Sequence, residues 1–378
     1  MRCKLKDFCT VINGRAYSQK ELLDKGKYRV LRVGNFFSSD RWYFSDLELP
    51  AEKYCNKGDL LFAWACSFGP RIWNGEDRTI FHYHIWKLDI DSDIVDKMYL
   101  FYLLKISVDS MTAGTHGSVM MHITKSDMEN FEFDIPSLDV QKKIAAILSA
   151  LDEKIATNRA INDNLEQQAL AIFQQKLLIE GDLPEGWKRS NLLDIANYLN
   201  GLAMQKFRPA DGENGLPVLK IKELRQGSCD ASSELCSPSI KPEYIVHDGD
   251  VIFSWSGSLL VDLWCGGTCG LNQHLFKVTS EKYPKWFYYI WTAHHLARFI
   301  AIAADKATTM GHIKREELAK AEVVIPDTAS MERIGGIMQP IYDLIISNRI
   351  ENRKLSTVRD TILPQLMSGA IDVSDIQL

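Results

Sequence analysis

Residues 138–178 read LDVQKKIAAILSALDEKIATNRAINDNLEQQALAIFQQKLL, with a mostly apolar residue recurring at alternating steps of four and three. This heptad spacing predicts one long helix with a continuous packing seam. Pro136 and Ser137 provide a stop and an N-cap before it, and Asp139 falls in its first turn. The seam positions are Ile144, Leu148, Leu151, Ile155, Asn158, Asn162, Leu165, Ala169 and Ile172.

A second seam follows about 190 residues later, with Pro340 expected to kink its helix and Pro364 to kink or end it. Both seams carry two asparagines at equivalent positions, which either fix the register of the pair or tolerate a hydrated position. The second set of seam positions is Ile334, Met338, Ile341, Ile345, Asn348, Asn352, Leu355, Arg359 and Ile362.

The rest of the chain repeats at the same offset. The segment His84–Leu88 matches His274–Val278, Gly58-Asp59 matches Gly249-Asp250, and Asn13-Gly14 matches Asn200-Gly201. The repeat is half the chain, so the sequence encodes two fused, equivalent units rather than a solenoid of short repeats.

Each unit has a globular part and a helical part. Short apolar runs such as 60–64 and 251–255 follow glycine turns and predict strands, whereas 98–108 and 286–304 predict helices. We expect mixed α/β domains at residues 1–136 and 183–326, and helical regions at 137–182 and 327–378. The predicted fold is α+β: the two mixed α/β domains are separated by two long helices packed as an antiparallel coiled coil, in a pseudo-twofold internal repeat.

Composition excludes several classes of protein. The chain has 378 residues, of which 46% are hydrophobic and 25% charged, so a disordered chain is excluded. Its start lacks an apolar signal core, no segment is long and apolar enough for a membrane span, and eight cysteines are too few for a disulfide scaffold of this size. We therefore expect a cytoplasmic protein with reduced thiols and no membrane partner.

Charge gives a mixed indication. The net charge of −5 argues against a nucleic-acid partner, yet basic residues outnumber acidic ones by nine to three between Arg2 and Arg32. That stretch is either a solvated face or a local electrostatic footprint. Two different domains related by a twofold axis suit DNA, whose backbones are related by local dyads, and predict two unlike half-sites.

Several motifs resemble the specificity subunits of type I restriction-modification systems. The segment Gln141–Ile155 resembles their central helical region, and Leu183-Pro184-Glu185-Gly186-Trp187 resembles the entry to their second target-recognition domain. Lys57–Phe62 and Asp248–Ser254 resemble a strand motif of each recognition domain, and Leu363–Gly369 resembles their ending. The likeness covers essentially the whole chain, although Met331-Glu332 stands where the family usually has Glu-Gln.

The resemblance implies a non-catalytic subunit whose domains 1–136 and 183–326 read the two halves of a bipartite target in double-stranded DNA. Two methyltransferase subunits would bind it and bring S-adenosylmethionine, so this chain itself would hold no cofactor. The resemblance also leaves room for two restriction-translocase subunits, with or without which such a complex can methylate DNA. The alternative is a bivalent scaffold that binds proteins and makes no DNA contact, which salt-dependent DNA binding would exclude.

Catalytic and metal motifs are not found. The sequence has neither an Asn/Asp-Pro-Pro-aromatic loop nor a phosphate-binding Gly-x-x-x-x-Gly-Lys loop, which argues against a stand-alone methyltransferase or motor. Cys265, Cys269 and His274 have poor spacing for zinc, and His82-x-His84 is better explained by packing, so we expect no metal.

Candidate DNA-binding residues lie on polar or glycine-punctuated segments, where loops carry recognition. In the first domain they are Arg15, Tyr17, Lys20, Ser67, Arg71 and His116, and in the second Lys206, Arg208, Ser256, Ser258 and Lys306. Candidate partner-binding residues are Ile147, Ile161 and Phe173, which we expect on the outer faces of the helix pair beneath the methyltransferase subunits.

Overall fold

The computed structural model describes residues 1–37, 40–65, 67–112, 122–305 and 313–377. The chain divides into two compact units. The first contains Met1–Asp152 and the chain from Thr357 onward, and the second contains Glu153–Ser356. Each boundary therefore falls inside one of the long helices, so each unit consists of a globular domain and parts of both helices.

The first unit is built mainly from short strands. Its described elements are β1 (Arg2–Lys4), β2 (Cys9–Asn13), β3 (Tyr28–Leu31), α1 (Val33–Phe37), β4 (Tyr43–Ser45), β5 (Tyr54–Cys55), β6 (Leu60–Ala65), β7 (Ser67–Ile72), β8 (Thr79–Phe81), β9 (Ile85–Ile90), α2 (Lys97–Thr112), α3 (Lys125–Asn130), β10 (Glu132–Asp134) and the start of α4 (Leu138–Lys176).

The sheets of this unit have the orders β2-β9-β6-β7, β4-β3-β8-β5 and β1-β10. The sequence of β6 is apolar throughout because both faces of this strand are covered. Phe62 packs with Trp86 in one cluster, whereas Leu61 and Ala63 pack with Phe36 of α1 in another. The predicted strand at 60–64 and the predicted helix at 98–108 are both confirmed.

The second unit repeats this plan. Its described elements are β11 (Lys188–Asn191), α5 (Leu192–Ile195), β12 (Asn197–Asn200), β13 (Leu216–Leu219), α6 (Ile221–Gln226), β14 (Leu235–Cys236), β15 (Ile245–Val246), β16 (Val251–Ser254), β17 (Leu260–Leu263), β18 (Cys269–Leu271), β19 (Leu275–Thr279), α7 (Lys285–His294), α8 (Leu296–Asp305), α9 (Arg315–Ala319), β20 (Glu322–Ile325) and α10 (Thr328–Met367).

Its sheets have the orders β12-β19-β16-β17, β14-β13-β18-β15 and β11-β20, which match the first unit strand for strand. The predicted duplication is therefore confirmed at the level of topology. The helix predicted at 286–304 is instead two helices, α7 and α8, which meet at His295.

The two long helices pair along their seams in antiparallel directions within each unit. In the second unit, Asn158 donates to Asn352 at 2.9 Å and Asn348 donates to Asn162 at 2.8 Å. In the first unit, Arg359 of α10 forms an ion pair with Asp152 of α4 at 2.5 Å. Neither Pro340 nor Pro364 ends α10, which continues through both to Met367.

The start of α4 is fastened to its globular domain by a buried glutamine. Gln141 donates to the carbonyl oxygens of Ile94 and Pro136 at 3.1 and 3.0 Å, and its own oxygen accepts from the Asp96 amide at 2.9 Å. All three bonds satisfy backbone groups that burial would otherwise leave unpaired. The helix therefore leaves the first domain at a fixed point.

Candidate nucleic-acid interface

Three segments of the first unit meet at one end of the sheet β2-β9-β6-β7. They are the chain after β2, the tip of the β6–β7 hairpin and the turn between β8 and β9. The Tyr83 amide donates to Arg15 at 3.0 Å, the Arg15 amide donates to Phe81 at 3.0 Å, and the Trp64 amide donates to His84 at 3.1 Å. These backbone bonds gather residues far apart in sequence into one surface.

Aromatic and imidazole rings fill this surface. The ring centroids of Tyr17 and His82 lie 6.3 Å apart, those of His82 and His84 4.9 Å, and those of His84 and Trp64 5.2 Å. Burial lowers the pKa of His82 to about 4, with further contributions from His84 and Arg32. The His82 imidazole is therefore neutral at neutral pH, and Tyr83 is the exposed aromatic residue of the turn.

Two arginines, Arg32 directly after β3 and Arg41 shortly before β4, lie beside a further aromatic ring. The Arg32 and Arg41 guanidinium groups lie 5.1 and 5.2 Å from the Tyr43 ring centroid, a cation–π arrangement. Arg71 donates to the Phe36 carbonyl at the end of α1. Arg32 is exposed, and no ion pair joins it to a carboxylate in the described ranges, so its positive charge faces solvent.

Within the described ranges, four of the eight other basic residues between Arg2 and Arg32 form ion pairs with carboxylates, and Arg15 is one of them. Arg2 pairs with Glu132 at 2.5 Å, Arg29 pairs with Glu76 at 3.1 Å, and Lys27 pairs with Glu48. About half of the basic charge of this stretch is therefore taken up in ion pairs. Sequence reasoning did not select Arg32 and Arg41, although the run Arg41-Trp42-Tyr43 gave a basic-aromatic signal.

Two residues that were predicted to contact DNA, Arg15 and Tyr17, have side chains that are engaged or buried within the first domain. The Arg15 guanidinium pairs with Glu21 at 2.7 Å, and hydrogen bonds from Arg15 and Ser18 lower the pKa of Glu21 to about 2. The Tyr17 hydroxyl is buried without a hydrogen-bond partner among the described residues, and burial raises its pKa. Arg15 is therefore engaged, and Tyr17 presents its ring to His82 rather than its hydroxyl to solvent.

The other selected residues of this domain are spread out. Lys20 and Ser67 are exposed, and Ser67 begins β7 at the hairpin tip rather than standing in a loop. Arg71 lies four residues farther along the same strand, beside α1. His116 lies outside the described residues.

The second unit has the same framework with other side chains. Its equivalent turn carries Asn272-Gln273-His274, and the Trp255 amide donates to the His274 carbonyl at 3.4 Å. Ser256 was predicted as a recognition residue, but it is buried, and its hydroxyl shares a 3.1 Å hydrogen bond with His274. Ser258 is exposed, and its carbonyl accepts from Ser254 at 2.9 Å.

Basic residues of this domain lie on separate exposed segments. Lys206 and Arg208 flank the exposed Phe207, and Arg225 is exposed on α6. Lys306 lies outside the described residues. The equivalent ends of the two domains therefore carry different donors and acceptors: histidine, arginine and aromatic rings in one, and amide, hydroxyl and histidine groups in the other.

The predicted partner-binding residues have three different environments. Ile161 is 40% exposed on α4, and Ile147 is partly buried against the core of the first unit. Phe173 is completely buried, so its prediction as an outward residue is wrong. The last turns of α4 enter the core of the second unit, where the Phe173 ring packs against Trp291 and His294 at centroid distances of 4.9 and 5.3 Å.

Helix α10 supplies an apolar face that sequence reasoning missed. Ile337, Leu344 and Val358 are 53%, 45% and 48% exposed. They are separated by seven and fourteen residues, so they share one heptad position of the sequence, with Ile337 and Leu344 in the second unit and Val358 in the first. Ile161 occupies the corresponding heptad position of α4. We call these four residues the outer apolar stripe.

The described part of the chain carries neither a membrane-spanning helix nor a metal cluster. Within it, no helix is long and apolar enough to cross a membrane. The same residues contain no cluster of three or more histidine, cysteine or acidic side chains arranged to hold a metal ion.

Comparison with known proteins gives a consistent family. A model described as the type I restriction modification DNA specificity domain matches residues 1–167 and again 184–357. The type I restriction enzyme MjaIX specificity subunit of Methanocaldococcus jannaschii is 26% identical over 315 residues, covering 76% of this chain and 72% of the relative. The MjaVIII specificity subunit of the same organism is 24% identical over 358 residues, covering 85% and 81%.

A solved structure shares the fold. The type I restriction-modification S subunit from M. genitalium superposes with a TM-score of 0.62 at 14% identity, covering 97% of this chain and 95% of that chain. The family model matches both copies of the internal repeat, each with its globular domain and long helix. The chain therefore belongs to the family of DNA specificity subunits of type I restriction-modification systems.

Proposed function

We propose that each globular domain of this subunit reads one half of an asymmetric, bipartite target in double-stranded DNA. One observation carries this proposal: the two domains share one strand order but present different side chains at the same end of the sheet. Direct readout depends on the pattern of donors, acceptors and apolar groups offered to base edges. Two domains with one framework and different surface chemistry suit two different half-sites.

In the first domain, Arg32 and Arg41 beside Tyr43, Tyr83 and the two histidines form the reading surface. Arginine donates two parallel hydrogen bonds to guanine, and exposed rings add stacking or methyl contacts. In the second domain, the turn Asn272–His274 and the exposed Ser258, with Lys206, Arg208 and Arg225, have this role. Lys20 and Ser67 remain candidate contacts in the first domain.

The helical regions would hold the partners. The outer apolar stripe exposes large aliphatic side chains on both helices, and such side chains are normally covered in an assembled bundle. Two methyltransferase subunits, one for each copy of the repeat, would cover it and bring S-adenosylmethionine to one adenine in each half-site. Two restriction-translocase subunits would join the same core, and this chain would contribute recognition rather than catalysis.

The test is to determine the adenine-methylation motif in cells that carry this subunit with its methyltransferase, for the natural chain and for Arg32→Ala. We expect a two-part motif with a fixed spacer. Arg32→Ala should weaken reading of one half-site by about 1–3 kcal/mol and leave the other half unchanged. A matched control is Arg78→Ala, which removes an arginine already close to Glu48.

Purified complex should also bind its target with an affinity that falls steeply with salt concentration. A complex that methylates nothing and does not bind DNA would favour the protein scaffold. An equal loss at both half-sites in Arg32→Ala would assign Arg32 to a phosphate contact.

A further inference from the structure

Two arginines of α10 hold the globular domain of the second unit. Arg353 donates to both carboxylate oxygens of Asp248, at 2.7 Å each, and to the Cys265 carbonyl at 2.6 Å. One of these carboxylate oxygens also accepts from the Gly267 amide at 2.8 Å. A two-pronged arginine–carboxylate pair fixes angle as well as distance, because the guanidinium group is planar.

Arg349 lies one turn earlier and joins three elements. It donates to the Asp262 carboxylate at 2.6 Å and to the Leu263 carbonyl at 3.2 Å, both in β17. Its other terminal nitrogen donates to Glu166 of α4 at 2.9 Å. One side chain thus ties a strand of the domain to both helices.

The arginines act at the end of the sheet opposite to the reading surface. Asp248 lies just before β16, whereas Trp255 and Ser256 follow directly after it. In the same way, Asp262 lies near the end of β17, and Ser258 lies just before its start. If the domain tilted about these contacts with α10, the opposite end of the sheet, which carries the reading surface, would be displaced.

The first copy of the repeat does not encode this attachment. The residues equivalent to Asp248 and Asp262 are Lys57 and Arg71, so both carboxylates are replaced by cations. The residues equivalent to Arg349 and Arg353 are Arg159 and Asp163, and both are exposed. Because the first copy has the same fold without these ion pairs, the fold does not require them, and the arginine attachment is a feature of the second copy.

We propose that Arg349 and Arg353 are positioning residues that fix the angle of the second recognition domain on the helices and so determine the spacer length that the subunit accepts. This inference rests on the proposed reading of a bipartite target. It separates two properties: side chains at the reading end determine the half-site bases, and these arginines determine how strictly the half-sites must be spaced.

The experiment uses the reconstituted complex with its methyltransferase. Methylation rates are measured on duplexes with the natural spacer and with spacers one base pair shorter and longer. In Arg353→Ala, we expect the preference for the natural spacer to fall about tenfold, equivalent to roughly 1.4 kcal/mol. The preferred half-site bases should not change.

Three variants make the result specific. Asp248→Asn keeps the size of the side chain but removes its charge, and it should relax spacer preference even if Arg353→Ala folds poorly. Exchanging the charges, with Asp248→Arg and Arg353→Asp together, should restore part of the preference. Asp163→Ala changes the exposed equivalent of Arg353 in α4 and should leave spacer preference as in the natural chain.

The outcomes separate the two proposals. A natural complex that shows no two-part motif overturns the proposed function and this inference with it. A natural complex with a two-part motif, combined with unchanged spacer preference in both Arg353→Ala and Asp248→Asn, overturns this inference alone. Equal loss of methylation on all three spacers would show that the arginines serve stability only.

Discussion

At the residue scale, two glycines show how closely the copies share their geometry. A Cβ atom on Gly14 would lie 2.2 Å from the His82 carbonyl oxygen, and one on Gly201 would lie 2.2 Å from the Asn272 carbonyl oxygen. Each glycine also donates its amide to the first residue of the neighbouring strand, Ile85 at 3.2 Å or Leu275 at 3.0 Å. The Asn-Gly pair in each copy therefore marks a close approach of two backbones beside the reading surface.

Gly14→Ala and Gly201→Ala should each destabilise their own unit. The clash is with backbone atoms that cannot rotate away, so we expect a loss of about 1–3 kcal/mol in the free energy of unfolding. Denaturant unfolding measures it, with Gly336→Ala as the control. An added Cβ at Gly336 in α10 meets no atom within 4 Å outside its own helix backbone, so this variant should gain about 0.5–1 kcal/mol. Equal stability of all three variants would contradict the close approach.

His82 makes the stability of the first unit depend on pH. Burial, followed by His84 and Arg32, lowers its pKa to about 4 in the folded chain, whereas an unfolded histidine titrates near 6.5. Between these values the unfolded chain binds more protons. The titration of His82 therefore leaves the free energy of unfolding unchanged above pH about 6.5 and lowers it as the pH decreases toward about 4.

His82→Asn introduces the residue that the second copy has at the equivalent position, Asn272. The decrease in thermal stability between pH about 7 and about 4.5 should become smaller in this variant. Some decrease will remain, because burial and Arg32 also lower the pKa of His84. The exposed His247→Asn is the control and should match the natural chain. If thermal stability decreased with pH as steeply in His82→Asn as in the natural chain, His82 would not be the source of the pH dependence.

At the element scale, the helix seams show what the periodicity of apolar residues predicts and what it does not. The heptad spacing correctly identified the buried side of α4, from Ile144 through Ile155 to Ala169. It could not identify what covers each face, and so it placed Phe173 outside. The spacing of apolar residues is the same whether the covering element is a helix or a globular core.

Ion pairs were equally hidden from sequence reasoning. Arg15 meets Glu21 only because the chain between them forms a short turn, and Arg353 meets Asp248 from 105 residues away. Neither contact produces a periodic pattern in the sequence. Sequence therefore predicted the repeat, the strands and the helix pairing, but not which basic residues remain open for DNA.

The seam asparagines should behave as a coupled pair. Asn348 donates to Asn162, and both side chains are buried, so Asn162→Leu leaves a buried amide without this acceptor and should cost about 1–3 kcal/mol. Asn162→Leu combined with Asn348→Leu should recover much of that loss, because no amide remains in the pair. A double-mutant cycle from denaturant unfolding measures the coupling, and strictly additive losses would show that the two side chains act independently.

The outer apolar stripe predicts where a partner binds. Ile337→Asp with Leu344→Asp should abolish co-purification with the methyltransferase, since two charges would enter a buried interface. Both residues are about half exposed in this chain, so the variant itself should remain folded. Ile300→Asp with Leu235→Asp changes two similarly exposed aliphatic residues on the globular domain and should leave the complex intact. Normal yield of complex from the first variant would exclude the stripe as the contact.

At the scale of the whole molecule, the duplication gives the chain an internal symmetry of strand order, with long helices that pair in antiparallel directions within each unit. The symmetry is incomplete where function needs a difference. The turns His82–His84 and Asn272–His274 differ. Asp248 and Asp262, which pair with Arg353 and Arg349, have cations at the equivalent positions of the first copy. Under the proposed function, one framework used twice allows each half-site to be changed without redesign of the other.

If the helix pair sets the distance between half-sites, lengthening both helices must lengthen the unread spacer. We consider four residues inserted between Glu153 and Lys154 of α4 and four between Ser356 and Thr357 of α10. These sites face each other across the seam, so both helices must change together to keep the pairs on either side in register. Each insertion adds about 6 Å and turns the helix by about 40° beyond a full turn.

DNA responds to such a change in both distance and rotation. One base pair advances the duplex by about 3.4 Å, and a full turn takes about 10.5 base pairs, so one or two added base pairs match the inserted length and rotation. The methylated motif should therefore gain one or two base pairs of spacer while both half-sites stay the same. The insertion in α4 alone should instead disrupt the seam and abolish methylation. Full methylation by the paired variant with the natural spacer would show that the helices do not measure distance.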